Sequence, residues 1–425
     1  CIRDRPYTDD LGRKQKRRNI DAALGSYRRA LAIGVGPVEK RRIQARIATI
    51  LEEKSQWPQA AAAWNALLVG AGFKERPKLR QLPGEEAARA RTWLIGRGRA
   101  SLRAGQRPQA RGDLKEAAAW KGDDASTAGV LMLLAEERFQ VGGAGPFDEG
   151  VAYLRDAVKA GGAPAQRKLA EAFERAGQLE KAAREWRAFV QAYPEDDYAA
   201  TAQHRGAQAL YGAGRYDDAI AAWNRFLAAH PTHDLWKQVR ASIVTAAFAK
   251  GQAAKNAEDP RGAIDAWRAF AQKHEDDPRA PQALFATATT QREVGDHDAA
   301  LKTLGGIAGR YGRTNFGPVA RFLGAVILED DLGRLDDAIE AYEELIKTYG
   351  NTGEANQARN RIERLKRKHL EIRMDRVLAL GQTPVLRVET RNIEKLGVRV
   401  YRLGLEEYFE RKGTLRGVEN LQLEI

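Results

Sequence analysis

The chain of 425 residues carries 70 Lys and Arg against 57 Asp and Glu, a formal net charge of +13, with one Cys and two Met. A single cysteine excludes a disulfide framework and any cysteine-based zinc site. No apolar run of about 18 residues occurs, so no segment reads as a membrane-spanning helix.

In chain order the first feature is Cys1, the only cysteine. It resembles the mature N-terminus of a bacterial lipoprotein, whose thiol carries diacylglycerol and whose signal peptide would precede residue 1. That resemblance implies lipidation at Cys1 and a place in the bacterial cell envelope, periplasmic or at the surface, because several acyl chains anchor stably where one does not. Behind it, residues 1–120 hold 26 Lys and Arg against 12 Asp and Glu, whereas the remaining 305 hold 44 against 45. The basicity is N-terminal, in runs at Arg13, Lys14, Lys16, Arg17 and Arg18, at Lys40, Arg41 and Arg42, and along Arg89 to Arg111. Such a stretch can face anionic lipid, an anionic polymer or an acidic protein, or it can be a solvated helical surface. No groove-reading motif or stacking series of aromatics accompanies it, so specific nucleic-acid binding is not expected.

A frame then recurs along the chain. Arg18 leads to Ala23 and Tyr27, Ser55 to Ala60, Trp64 and Leu67, Gly105 to Ala110 and Leu114, and Gly145 to Gly150 and Leu154. The frame is fullest at Gly177 (Ala182, Trp186, Phe189, Tyr193, Pro194) and Gly214 (Ala219, Trp223, Phe226, His230, Pro231). It continues at Glu258 (Ala263, Trp267, Phe270, His274), Gly295 (Ala300, Leu304, Ile307, Tyr311) and Gly333 (Ala338, Tyr342, Leu345, Tyr349). The intervals are 37, 50, 40, 32, 37, 44, 37 and 38 residues, the longest containing a charged loop from Phe73 to Gly84. Each interval has room for two helices, which predicts a helix-hairpin solenoid. No single hairpin can bury its own apolar stripe. The small Ala219-type position admits a partner helix, and Trp64, Trp186, Trp223, Phe226, Trp267, Phe270 and Tyr342 fill the space between hairpins. Each such ring is worth about 2–3 kcal/mol on burial.

These Gly, Ala, aromatic and Pro offsets resemble the second helix of the tetratricopeptide repeat. The chain departs from that family at the large Phe226-type position and in its first-helix signature, where Ala207 and Leu210 stand for Gly and Tyr. The expectation is therefore a mainly α fold: a solenoid of about nine longer, looser hairpins over residues 12–369, after a tail at 1–11. No peptide-clamp residues carry over.

Catalytic patterns are lacking in the sequence. His230 and His233 superficially resemble a metal pair, but His230 and His274 fall at the repeat position of Tyr193, Tyr311 and Tyr349, which predicts packing at a helix end. The acidic clusters Glu195-Asp196-Asp197 and Glu275-Asp276-Asp277 occupy matching loops and read as N-caps of the following helices. With no nucleophile elbow, phosphate loop or HExxH present, neither an enzyme nor a cofactor is expected.

The solenoid ends in a polar capping helix, Glu354 to His369, with Arg359, Arg361, Arg364, Lys366 and Lys368. The period then changes from 3.6 to 2. Leu370, Ile372 and Met374 alternate with charged residues, a turn follows at Gly381–Pro384, and strands are predicted at 385–391, 398–402 and from Leu421, with a short helix at Leu405–Lys412. Thr390–Glu394, Val398–Arg402, Leu405–Phe409 and Arg416–Glu419 resemble the start of the β-sandwich region of bacterial alpha-2-macroglobulin-like proteins. The resemblance implies that residues 370–425 are a partial β-sandwich, completed by downstream sequence or another chain, and that the whole is the N-terminal part of such a protein. That family's thioester motif, Cys-Gly-Glu-Gln, is absent, so protease trapping does not transfer. Two functions stand out: an interaction scaffold of the bacterial envelope with protein partners, and, as the alternative, a solenoid binding an anionic polymer or membrane surface through its basic third. An enzyme with a non-local site ranks last.

Overall fold

A computed structural model describes residues 5–8, 14–17, 20–120, 124–374, 383, 385–398 and 405–413. The chain divides into two compact units, Cys1–His274 and Glu275–Ile425. The first opens with two antiparallel strands, β1 (Arg5–Thr8) and β2 (Lys14–Arg17), Arg5 lying opposite Arg17. Residues 14–17 were expected inside the solenoid. Between Pro6 and Ile20 the large apolar residues are Tyr7 and Leu11 alone, too few for a helical stripe. Among the described residues the first helix begins at Ile20.

Thirteen helices follow among the described residues of this unit. They are α1 (Ile20–Ile33), α2 (Pro37–Glu53), α3 (Trp57–Gly70), α4 (Gly84–Arg103), α5 (Arg107–Ala119), α6 (Asp124–Val141) and α7 (Ala144–Ala160). Then come α8 (Ala163–Arg175), α9 (Leu179–Ala192), α10 (Ala199–Gly212), α11 (Tyr216–Ala229), α12 (Trp236–Asn256) and α13 (Pro260–Lys273). The second unit holds α14 (Ala280–Glu293), α15 (His297–Arg310), α16 (Phe316–Val326), α17 (Leu335–Tyr349) and α18 (Gly353–Lys366). Two antiparallel strands, β3 (His369–Met374) and β4 (Leu386–Arg391), and a short α19 (Leu405–Lys412) complete it. In each unit a helix packs on its immediate and next neighbours, as in a helical-repeat solenoid.

The recurring frame marks the start of each second helix, α3 through α17 in odd steps. Its opening residue has a left-handed backbone: Gly105, Gly177, Gly214, Gly295 and Gly333, and equally Ser55 (φ 57°) and Glu258 (φ 58°). The reason is one hydrogen-bond motif that ends the first helix before each of these residues; the frame at Gly145 departs from it, since Gly145 lies inside α7 and the left-handed residues there are Gly142 and Gly143. Gly177 N donates to Glu174 O and Gln178 N to Phe173 O; Ser55 N to Glu52 O and Gln56 N to Leu51 O. This is the αL helix stop, which satisfies the last carbonyls. At Gly333 the motif is one residue longer, Arg334 N reaching Leu328 O, because a π-helical turn at Ile327–Asp331 adds a residue to the end of α16.

Five residues on, Ala60, Ala110, Ala182, Ala219, Ala263, Ala300 and Ala338 are all 0% exposed. The rings that follow are buried too: Trp64, Trp186, Trp223, Phe226, Trp267, Phe270 and Tyr342. Their seats include glycines on first helices. A Cβ on Gly96 would lie 2.5 Å from the Trp64 ring, and one on Gly251 would lie 2.4 Å from that of Trp267. These seats carry no signal in the second-helix frame.

The Phe73–Gly84 segment is more than a charged loop. It forms a short 3₁₀ turn at Leu79–Gln81, buries Leu79 completely and straps across α5. Arg76 Nε donates to Asp113 Oδ1 at 2.7 Å, Leu79 N to Glu116 Oε1 at 2.8 Å, and Arg80 Nε to Ala119 O at 3.1 Å. The acidic loops also differ from expectation. Asp196 Oδ1 accepts from Tyr198 N and Asp277 Oδ1 from Arg279 N, so each closes a two-residue turn before the helix rather than capping its first-turn amides.

Of the predicted β region, the residues at 381, 382, 384, 399–402 and 421–425 lie outside the described ones. In β3–β4, Ile372 lies opposite Val388 and Leu370 opposite Thr390, and Leu370, Ile372, Leu386 and Val388 are all solvent-exposed.

Candidate functional site

The second helices seal the repeats, and a recurring three-residue contact does much of it. At 2.7 Å, Trp64 Nε1 donates to Glu52 Oε1, and Arg99 of α4 holds the other oxygen of Glu52, also at 2.7 Å. Trp186 Nε1 donates to Glu174 Oε1 at 2.5 Å, while Arg205 of α10 binds Glu174 and stacks 4.6 Å from the Trp186 ring. In the second unit Tyr342 OH donates to Glu329 Oε2 at 2.9 Å, and Arg361 and Arg364 bind Glu329. Burial pushes the Glu329 carboxyl up, but hydrogen bonds from Arg361, Tyr342 and Arg364 outweigh it and hold it below its usual range. Each contact joins a first helix, its own second helix and the next first helix. At Trp223 the acceptor is instead His204 Nδ1, 3.1 Å away, on a buried imidazole whose affinity for protons is lowered by burial and by His233.

The histidines singled out as a superficial metal pair are helix-end packing groups. The His230 ring lies 4.9 Å from that of Phe226, and His274 lies 5.2 Å from Phe270. His233 Nδ1 accepts from Leu235 N at 3.1 Å. Among the described residues no group of three potential ligands could hold a metal.

The basic third of the chain separates into interior and surface. Arg97 is 8% exposed and clamps the fully buried Asp113 through Nε and Nη2 at 2.7 and 2.8 Å. Arg91, 4% exposed, reaches Ala117 O, Ser126 Oγ and Thr127 Oγ1. Part of the run from Arg89 to Arg111 is therefore structural, contrary to its expected surface role. Lys40 and Arg42 on α2 are exposed and Arg41 half-buried. Strand β2 carries Lys14, Lys16 and Arg17, while Cys1, Arg13 and Arg18 lie outside the described residues.

Among the described residues a concavity runs across three successive first helices, α4, α6 and α8. Three cavities of about 430, 320 and 270 Å³ adjoin there. The first two share Arg103, Met132, Glu136 and Lys168, and the second and third share Phe139 and Arg175. Helical spacing sets the walls. Arg99 and Arg103 stand four apart on α4, Met132 and Glu136 four apart on α6, and Lys168 and Arg175 seven apart on α8, so each pair shares a face. Arg103 is paired with Glu136 at 2.7 Å and Arg99 with Glu52. Among the described residues Lys168 and Arg175 form no ion pair; Arg175 Nε donates only to Glu171 O, 3.3 Å away on its own helix. The groove thus combines an apolar floor with a cationic surplus. Lys168, Arg175, Met132 and Phe139 had not been singled out in the sequence, because a first-helix face carries no repeating residue type.

A chain of hairpins stapled through their second helices, with first helices facing a groove, is a tetratricopeptide-like helical-repeat protein. Two family models match parts of it. Residues 166–292 match YfiO, described as outer membrane lipoprotein, and residues 320–352 match a tetratricopeptide repeat. No curated protein matches. Among solved structures, a tetratricopeptide-repeat protein from Cytophaga hutchinsonii is 11% identical, with a TM-score of 0.35, covering 74% of this chain and 98% of its own. One from Parabacteroides merdae is 13% identical (TM-score 0.30), covering 63% of this chain and 96% of its own. The MamA protein is 18% identical (TM-score 0.34), covering 45% of this chain and 93% of its own.

Proposed function

We propose that the protein is a non-enzymatic protein–protein interaction scaffold of the bacterial cell envelope. The observation that carries this reading is the groove across α4, α6 and α8, where apolar floor and unpaired cations meet on rigid, stapled helices. The match of residues 166–292 to an outer membrane lipoprotein family supports the envelope as its place. No described helix is long and apolar enough to cross a membrane. The reading includes lipidation of Cys1, the chain's one thiol, as its resemblance to a lipoprotein terminus implies. Intact-mass analysis of native protein should show the lipid; a free thiol on Cys1 would end this part of the reading. The finer placement, at the N-terminal side of a macroglobulin-like protein, rests on the residue resemblance and on the exposed apolar residues Leu370, Ile372, Leu386 and Val388 of β3–β4.

A benzophenone amino acid placed at Arg103 should crosslink in cells to a protein, and the product should vanish in the Lys168→Glu/Arg175→Glu background. The same probe at Lys181, on the second-helix side, should give no such product. Crosslinking at Lys181 alone would relocate the binding face, and none at either position would remove the scaffold reading. The alternative, an anionic polymer on the basic third, is favoured by exposed Lys40 and Arg42. It requires affinity to fall steeply between about 50 and 200 mM salt through counterion release.

A further inference from the structure

The strap between α3 and α4 shows what the opposite, second-helix side of the array can hold. It lies in the cleft where α3 and α5 flank α4, and Leu79 joins one apolar cluster with Leu68 of α3, Leu94 of α4 and Leu114 of α5. Two carboxylates of α5 hold it there, Asp113 accepting from Arg76 and Glu116 from Leu79 N. Beneath it Arg97 of α4 fills the floor, bonded to Asn65 of α3 and to Asp113.

The equivalent cleft of α9, α10 and α11 is open, a cavity of about 190 Å³. Counted from the left-handed residue of each frame, Val190 of α9 stands where Leu68 does and Arg187 where Asn65 does. On α11, Ala222 and Arg225 stand for Asp113 and Glu116. Gly206 of α10 takes the place of Arg97, so the floor lacks the side chain that fills it in the other cleft. The connection from α9 to α10 has six residues, 193–198, against thirteen at 71–83, and supplies no strap of its own.

We infer that this cleft is a second docking site, separate from the first-helix groove, which takes an extended segment of a protein partner lying as the strap lies on α5. The segment places a leucine-sized side chain on Val190 and Leu210, with carboxylates beside it. Charge sets this chemistry. Where α5 offers two carboxylates to a basic strap, the open cleft offers Arg187 and Arg225, both exposed, and no carboxylate lines it. Among the described residues neither arginine forms an ion pair; Arg225 Nε donates only to Ala221 O, 3.3 Å away on its own helix. A carboxylate there gains charge-assisted hydrogen bonds, and a basic segment is repelled. A phosphate polymer would suit the arginines but has no aliphatic side chain to bury.

The test uses the full chain and two fluorescein-labelled synthetic peptides. One carries the strap sequence from Phe73 to Gly84; the other is the same with every Lys and Arg replaced by Glu. Fluorescence anisotropy at near-physiological salt should show the acidic peptide binding at least about tenfold more tightly than the strap peptide. Arg187→Glu/Arg225→Glu should reverse that order, and the milder Arg187→Gln/Arg225→Gln should remove it. Circular dichroism checks the fold of both variants, whose altered positions are exposed. Serine in place of the acidic peptide's leucine at the Leu79 position should weaken binding. Lys168→Glu/Arg175→Glu, on the first-helix side, should leave it unchanged. The inference is overturned if the two peptides bind alike, if neither binds, or if loss of the leucine has no effect. It is equally overturned if affinity follows Lys168 and Arg175 rather than Arg187 and Arg225. The crosslink at Arg103 reports on the first-helix groove alone, so the failure of either site is seen separately from the other.

Discussion

At the scale of single residues, identity is read most directly where the backbone dictates it. Ser55 and Glu258 replace glycine at left-handed positions that the other repeats give to Gly, which costs about 1 kcal/mol each. Both sites are solvent-accessible, so Ser55→Gly and Glu258→Gly should raise the melting temperature, by less than the full strain because glycine also loosens the unfolded chain. Unchanged or lower melting temperatures would show that the left-handed turns are not strained. His204 offers a second test. Its ordinary pKa of 6.5 is lowered in the folded chain, first by burial and then by His233. The unfolded chain therefore binds the proton more readily. Stability from this group is present above about pH 6.5 and falls away as pH drops toward the folded value. His204→Asn keeps an acceptor for Trp223 and should flatten the pH dependence of thermal stability between pH 7 and 5, in about that window; an unaltered slope would assign the dependence to another group.

At the scale of elements, the second helices were legible and the first helices were not. A second helix is written by a left-handed residue, a small residue five later and a ring four after that, all within one stretch of chain. The matching features of first helices are dispersed. Gly96 seats Trp64 from another hairpin, and Asp113 neutralises Arg97 sixteen residues away and Arg76 thirty-seven away. From sequence alone a buried, paired arginine is indistinguishable from an exposed one, which is why the run at Arg89–Arg111 read as surface. The groove escaped for the same reason, since its walls come from three helices a repeat apart. The carboxylate-to-ring contact also identifies a repeat that lacks it. Glu52 and Glu174 stand three residues before the left-handed turn and twelve before Trp64 and Trp186; the equivalent before Trp267 is Lys255. Trp267 Nε1 is buried with no acceptor in the described structure. Lys255→Glu should complete the contact and stabilise the fold by about 1 kcal/mol, read as a higher denaturation midpoint. A lower midpoint would show that the side chain at this position cannot reach the ring.

At the scale of the whole molecule, stability should be local, because in each unit a helix packs only on its near neighbours in sequence. In such an array free energy is approximately a sum of repeat and nearest-interface contributions, unlike a single globular core whose loss is felt throughout. Trp186 makes the distinction measurable. It is fully buried, bonded to Glu174 of α8, and covered by Arg205 of α10, so its removal touches α8, α9 and α10 directly. Trp186→Ala should cost about 3–5 kcal/mol where it acts. Native-state hydrogen exchange should then show protection lost across residues 163–212. Amides of α2 to α4, joined by their own Glu52–Trp64–Arg99 contact, should keep theirs, as should α16 to α18 around Glu329. Equal loss of protection in all three regions would mean that the chain unfolds as one cooperative body. Retained protection at the distant contacts would establish that each staple secures only its own stretch of the array, leaving the groove on α4, α6 and α8 dependent on the contacts at Trp64 and Trp186 that flank it.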